Sequence, residues 1–233
     1  MFSILASVGT MFFLYWFVKQ LFDHKTAIIS LAFFNFLPFS IYYSRVILPE
    51  PYILLYFVGS LAFFTSNIKN NVKSHWWLSL LFLSLALLLK PFVAFFAPVF
   101  FAIIWFENKS KLKNISTYFF ALLALVPFFL WRNWIKNFPE GIPASSWLFN
   151  GDGIRFRPAW FRWLFWERMF LLIGGVISPI IAFFNFRKIN KQFYLLASWW
   201  IGSLFYLSII ATGNVRHDYY QVLLIPAISI TFA

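Results

Sequence analysis

Two charged islands stand between long apolar runs, and their residue types suit the handling of a phosphorylated, hydroxyl-rich substrate. The first is Tyr43-Ser44-Arg45-Val46-Ile47-Leu48-Pro49-Glu50-Pro51, and the second is Arg216-His217-Asp218-Tyr219-Tyr220. Between them Lys90 stands alone in Leu87-Leu88-Leu89-Lys90-Pro91. Ionisable groups flanked by membrane-like sequence are costly to bury, so they point to chemistry before packing. Cations such as Lys90, Arg168 and Arg216 can hold phosphoryl oxygens and stabilise charge as a phosphate leaves. A carboxylate or imidazole such as Glu50 or His217 can bind sugar hydroxyls, hold a divalent metal or serve as a base. A plainer reading stays open beside this one: His217 and Asp218 form a structural pair at a helix start, with Asp218 capping the last helix.

The elements that position these islands are membrane segments. Hydrophobic residues make up 62% of the 233-residue chain and charged residues only 11%, against about a quarter charged in an ordinary soluble domain. The mean hydropathy is +0.77. The 24% aromatic content, with 35 Phe and 12 Trp, supplies interfacial anchors. There is no cysteine, which excludes disulfides, thiolate catalysis and cysteine metal sites. The net charge of +12 is accounted for by lysine and arginine gathered in cytoplasmic loops, and no soluble basic domain is present to bind nucleic acid.

Apolar stretches approaching the ~20 residues of a spanning helix run over 1–21, 26–43, 47–66, 76–89, 92–106, 115–131, 169–186, 193–212 and 219–233. The expected fold is therefore an all-α polytopic transmembrane helical bundle, a single domain over 1–233 with about nine membrane segments. Alternate loops carry Lys19 and Lys25, then Lys69 and Lys73, then Lys109, Lys111 and Lys113, then Arg187, Lys188 and Lys191. These are expected to be cytoplasmic. Of the acids, Glu50, Glu140, Asp152, Glu167 and Asp218 fall on the other side and Asp23 and Glu107 inside, so the functional face is expected to be non-cytoplasmic.

Residues 76–89 and 92–106 would form one long helix with Lys90 in its middle only by placing two lysine loops on opposite sides. A hairpin turning at Lys90-Pro91 keeps the charge rule, and the proline fits a helix stop. Short helices meeting at an intramembrane cation are one way to build a site; a lysine that snorkels to the interface is the other reading.

Residues 132–168 form one long outer loop, expected to lie along the interface. Its second half, Pro158 to Arg168, opens with proline in a first helical turn and places Trp160, Trp163 and Leu164 on one face. Asn150-Gly151-Asp152-Gly153 reads as a turn. Arg155, Arg157, Arg162 and Arg168 could meet lipid phosphates generally or a specific phosphorylated ligand. Asn108-Lys109-Ser110 and Asn114-Ile115-Ser116 match the glycosylation pattern but fall in an expected cytoplasmic loop. No internal repeat and no Walker, Rossmann, nucleophile-elbow or HExxH motif occurs. The first segment starts without a basic flank and the last stops after about fifteen residues, short of a ~20-residue span, so the chain is expected to be a fragment of a longer protein.

The run Leu37-Pro38-Phe39-Ser40-Ile41-Tyr42-Tyr43-Ser44-Arg45-Val46-Ile47-Leu48-Pro49-Glu50 resembles the third-helix region of the GT-C glycosyltransferases of the dolichyl-phosphate-mannose protein mannosyltransferase and aminoarabinose transferase type. There, a proline-containing helix is followed by Ser-Arg and then an acid. Leu87-Leu88-Leu89-Lys90-Pro91 is similar to the family's apolar helix ending in Thr-Lys-Gly, with Leu89 and Pro91 replacing the threonine and glycine. His217 to Pro226 looks like the family's late Tyr-x-Leu-Pro-x-x-Pro segment, with Val222-Leu223 in place of Leu-Pro.

The resemblance implies a GT-C fold with interfacial helices. It implies transfer of a sugar from a polyprenyl-phosphate donor to a lipid, glycan or protein acceptor, with inversion, at the non-cytoplasmic face of a prokaryotic inner membrane. By that likeness Lys90 contacts donor phosphate, with Arg168 and Arg216 as further phosphate ligands. Glu50 stands near the sugar or a divalent metal shared with His217, Arg45 is the motif arginine and supports Glu50, and His217, Asp218, Tyr219 and Tyr220 line the sugar or acceptor pocket. The family's principal catalytic acid precedes the segment with which this chain starts, so the chain alone is expected to be inactive. Rival readings are a transporter or lipid flippase, which also builds sites from discontinuous helices and buried charges, and a noncatalytic assembly subunit.

Overall fold

In the computed structural model the described residues are 2–141, 146–174, 180, 184 and 190–233, and no strand occurs among them. The expected segment 169–186 and the basic residues Arg187 and Lys188 fall largely or wholly outside the described residues. The helices run α1 Phe2–Leu21, α2 His24–Phe36, α3 Pro38–Tyr43, α4 Glu50–Asn70, α5 Lys73–Leu89, α6 Ala97–Glu107, α7 Ile115–Ile135, α8 Ser146–Asn150, α9 Pro158–Phe161, α10 Lys191–Ile209, α11 Ala211–Arg216 and α12 Ile225–Thr231. Tighter 3-10 turns over Pro91–Phe96 and Asp218–Leu224 lead into α6 and α12. Among the described residues α1, α4 and α7 are long and apolar enough to cross a membrane.

Helix α4 is the centre of the bundle, packed between α1 and α5. Its sequence places small residues where neighbours come close: Ser60 donates to the Ser79 carbonyl at 3.0 Å and Ser79 returns the bond at 2.9 Å. Such reciprocal hydroxyl contacts join apolar helices where no water competes. Phe17, Phe57 and Phe96 surround the fully buried Trp199, tying α1, α4 and the 3-10 turn to α10. Gly202 of α10 lies against the turn before α6, where an added Cβ would stand 2.6 Å from the Phe95 carbonyl oxygen. Gly202→Ala is therefore expected to lower stability by about 1–3 kcal/mol, read as a loss of unfolding midpoint in detergent. By contrast α7 buries only Phe120 and Ala124, which leaves most of an apolar helix facing outward, as lipid contact requires.

The bundle has two chemically different ends. At one, Lys69 pairs with Glu107 at 3.7 Å and donates to the Gln20 carbonyl, Lys191 reaches the same carboxylate, and Lys111 donates to Asn71 at 2.8 Å. The ends of α1, α4 and α6 and the start of α10 thus meet among lysines. Asp23, between α1 and α2, caps α2 by accepting from the Thr26 amide at 2.8 Å and its hydroxyl at 3.0 Å. Those bonds hold its carboxyl below its ordinary value, so the cap is complete above the ordinary carboxylate range and is lost as pH falls through the lowered value. The starts of α4 and α11's far end, with Lys90, occupy the opposite end.

Because α5 starts beside α4's lysine end, with His75 on Ser66 at 2.8 Å, and α6 finishes there at Glu107, the chain does reverse at Lys90-Pro91. Lys90 takes an extended conformation, φ −152°, its amide donating to the Ala86 carbonyl and its carbonyl accepting from Val93. Proline then occupies the first position of the following turn, where its missing amide hydrogen is not needed. The turn accordingly needs no glycine after the lysine.

Candidate active site

Glu50 is the first residue of α4 and Lys90 the C-terminal cap of α5, so the close packing of these two helices brings their ends together. The Lys90 ammonium lies 2.6 Å from Glu50 Oε1, with Glu50 2% and Lys90 8% exposed. The same ammonium sits 3.5 Å from the ring centre of Tyr220 and 5.2 Å from that of Tyr219. Those rings come from the 3-10 turn that follows α11, and a desolvated cation over an aromatic face is worth about 2 kcal/mol. Glu50 Oε2 is buried without a hydrogen-bond partner among the described residues.

His217 continues the cluster outward, its ring 5.2 Å from Tyr219, 5.3 Å from Tyr220 and 6.1 Å from Trp147. Gly213 leaves room for the Tyr220 ring, which a Cβ there would approach to 2.8 Å. Tyr206 donates its hydroxyl to the Tyr220 carbonyl at 3.2 Å, fixing that turn against α10. Beneath it Gln221 donates to both the backbone carbonyl and the side-chain oxygen of Asn214, at 2.7 and 3.0 Å. Neither amide belongs to a charged island, so charge and aromatic content gave no reason to single them out.

Asp218 does not cap a helix: no side-chain cap bond forms at that turn, whose capping position is His217. Instead its carboxylate pairs with Arg168 at 2.9 Å, because the segment after Pro158 folds back over it. Arg216 pairs with Asp152 at 2.6 Å, and Asp152 also accepts from Trp147 and donates its amide to Thr212. The turn around Asp152 is thus an anchor as well as a bend, with Gly153 at φ +59°. Asp218 is substantially exposed, so a double-mutant cycle of Arg168→Gln with Asp218→Asn should give about 0.5–1 kcal/mol of coupling. Raising the salt concentration should shrink it.

Two expected placements fail. Arg45 is exposed in the turn before α4 and makes no ion pair among the described residues; the cation beside Glu50 is Lys90. The bends over Val46 to Pro49 turn Arg45 away, and it instead lines an open apolar groove with Pro38, Ile41, Tyr42 and Val46. Trp163 also leaves the expected face. Trp160 and Leu164 are buried but Trp163 is 40% exposed, because the helix opened by Pro158 widens into a π-helix at Arg162 and the longer turn rotates the tryptophan outward.

For a divalent cation, the donors are few. Glu50 is already compensated by Lys90, His217 is packed on aromatic rings, and among the described residues no three His, Asp or Glu side chains converge. This set by itself does not fit a metal.

The residues at Glu50 and Lys90 lie within a match to a family model, that of dolichyl-phosphate-mannose-protein mannosyltransferase, which covers residues 1–134. The chain belongs to that family. It is an integral membrane protein of a GT-C-type glycosyltransferase family, with an all-α fold. The family match includes Arg45, Glu50 and Lys90 and ends before Arg168 and the Arg216–Tyr220 island. No curated protein and no solved structure matches the chain.

Proposed function

We propose that the chain forms the donor-side half of a site that transfers a sugar from a polyprenyl phosphate to an acceptor, with inversion, at the membrane face opposite the lysine end. The observation that carries this reading is the buried Glu50–Lys90 pair under Tyr219 and Tyr220. A lysine held there by one carboxylate oxygen and two ring faces retains donor capacity toward a phosphate. The acceptor oxygen attacks the anomeric carbon, the bond from that carbon to the phosphate oxygen breaks, and the polyprenyl phosphate leaves with the electron pair. Lys90 stabilises the charge that develops on the leaving oxygen, while Glu50 Oε2 accepts a sugar hydroxyl. The acceptor's proton passes to a base outside this cluster.

Arg168 and Arg216, each now paired with a carboxylate, supply further cations at the outer rim, and His217, Asp218, Tyr219 and Tyr220 form the sugar or acceptor wall. The groove bearing Arg45, with a volume of about 460 Å³, suits the lipid portion, its apolar wall toward Pro38 and Ile41. Lysine at the other end of the bundle supports a non-cytoplasmic side for this site.

The experiment is donor binding. A short polyprenyl monophosphate titrated into the detergent-solubilised chain is expected to raise its unfolding midpoint, by linkage, and an alcohol of the same length to leave it unchanged. Equal shifts with phosphate and alcohol would remove the phosphate from the proposal. For Arg45, Arg45→Gln is expected to weaken the monophosphate by less than tenfold while Lys90→Met abolishes its effect. An Arg45 variant as defective as the Lys90 variant would move the phosphate to the groove.

A further inference from the structure

A second cavity lies at the lysine end, away from the transfer site. It has a volume of about 400 Å³ and sits between the α4–α5 turn and the start of α7. Lys73 and Lys111 line it, with no Asp or Glu among its lining residues. Its lining mixes polar side chains, Asn71 and Asn114, with apolar ones, Trp76 and Trp77. The capping residue of α5, Val72, makes no side-chain cap bond, and the His75 amide donates to the Val72 carbonyl at 3.1 Å. Lys111 is held in place by its bond to Asn71, itself in the left-handed region at φ 55°. Lys73 makes no ion pair among the described residues. Trp77 is 64% exposed on the outside of the bundle.

We propose that this cavity binds the headgroup of an anionic membrane phospholipid. Lys73, Lys111 and the first turn of α5 surround the phosphodiester, and Trp76 and Trp77 lie along the glycerol and the first carbons of the chains. Each feature bears on the class of ligand. Two cations without a carboxylate favour an anion, and would repel the choline of a zwitterionic lipid. Tryptophans beside lysines belong at headgroup depth. A lining of both polar and apolar groups beside the lysines matches a molecule that carries a charged head and an apolar body, which a soluble phosphate lacks. The site is independent of sugar transfer, since it uses none of the residues at the other end.

The test is lipid retention by the purified chain in detergent, read by native mass spectrometry during titration with phosphatidylglycerol or phosphatidylcholine. Phosphatidylglycerol is expected to be retained and phosphatidylcholine not. With about fivefold in affinity per lysine near a charged headgroup, Lys73→Gln should weaken retention about fivefold and the Lys73→Gln, Lys111→Gln pair about twenty-fivefold. Lys136→Gln, at the far end of α7, should change nothing, and Lys73→Arg should retain the original affinity. Equal retention of the two lipids, an unaffected Lys73→Gln variant, or a loss as large in Lys73→Arg would overturn the proposal. Displacement of phosphatidylglycerol by equimolar inorganic phosphate would assign the cavity to free phosphate and overturn the lipid reading.

Discussion

Lys90→Met is expected to cost about 3–5 kcal/mol of stability, because it leaves the Glu50 carboxylate buried with no cation. Oε2 of that carboxylate already has no partner, and Oε1 would lose the one it has. The same change removes the cation proposed to meet the donor phosphate, so affinity for a polyprenyl phosphate is expected to fall about a hundredfold or more. The two effects separate in a second variant. Glu50→Gln combined with Lys90→Met has no uncompensated charge and should recover most of the lost stability, while polyprenyl phosphate still fails to raise the unfolding midpoint. Unfolding followed in detergent micelles for the single and double variants checks both parts. A double variant as unstable as the single would mean that the pair's packing, not its charge, supports the turn.

Tyr220→Ala is the second large effect. It deletes a buried ring at about 3–5 kcal/mol and with it the nearer of the two aromatic faces over Lys90, so donor affinity should fall as well. Tyr220→Phe keeps the ring and is expected to stay within about 1 kcal/mol, since the cation meets the ring face. A phenylalanine variant as damaged as the alanine one would transfer the role from the ring to the hydroxyl. The geometry supports the ring: Tyr220 is 8% exposed, packed over Gly213, with the turn's carbonyl held by Tyr206.

The all-α class and the end-to-end polarity of the bundle were legible in the sequence because hydropathy and lysine placement act over whole segments and survive local error. The reversal at Lys90-Pro91 was legible for the same reason, since only a turn there keeps the lysine loops together. What failed was local. Arg45 and Glu50 are near in sequence and share a motif, yet the bends between them point the arginine outward, and nothing in residue type marks those bends. Trp163 was misplaced by a fixed helical period that the π-helix breaks. Asp218 has the composition of a cap, but an arginine from a distant segment, Arg168, took its carboxylate. The convergence of Glu50, Lys90 and the Tyr219-Tyr220 rings depends on α4 lying against α5 and on the closing turn reaching their ends, a long-range fact that the spacing of charges does not contain.

Lys90, set by Glu50 and the two tyrosines, is the proposed receiver of the donor phosphate. The most direct test is the affinity of a polyprenyl monophosphate for the unmodified chain and for the Glu50→Gln, Lys90→Met double variant, whose fold should be intact. Saturable binding to the first is expected, with at least a hundredfold weaker binding to the second. Equal affinity for the two would contradict it and place the phosphate elsewhere on the protein.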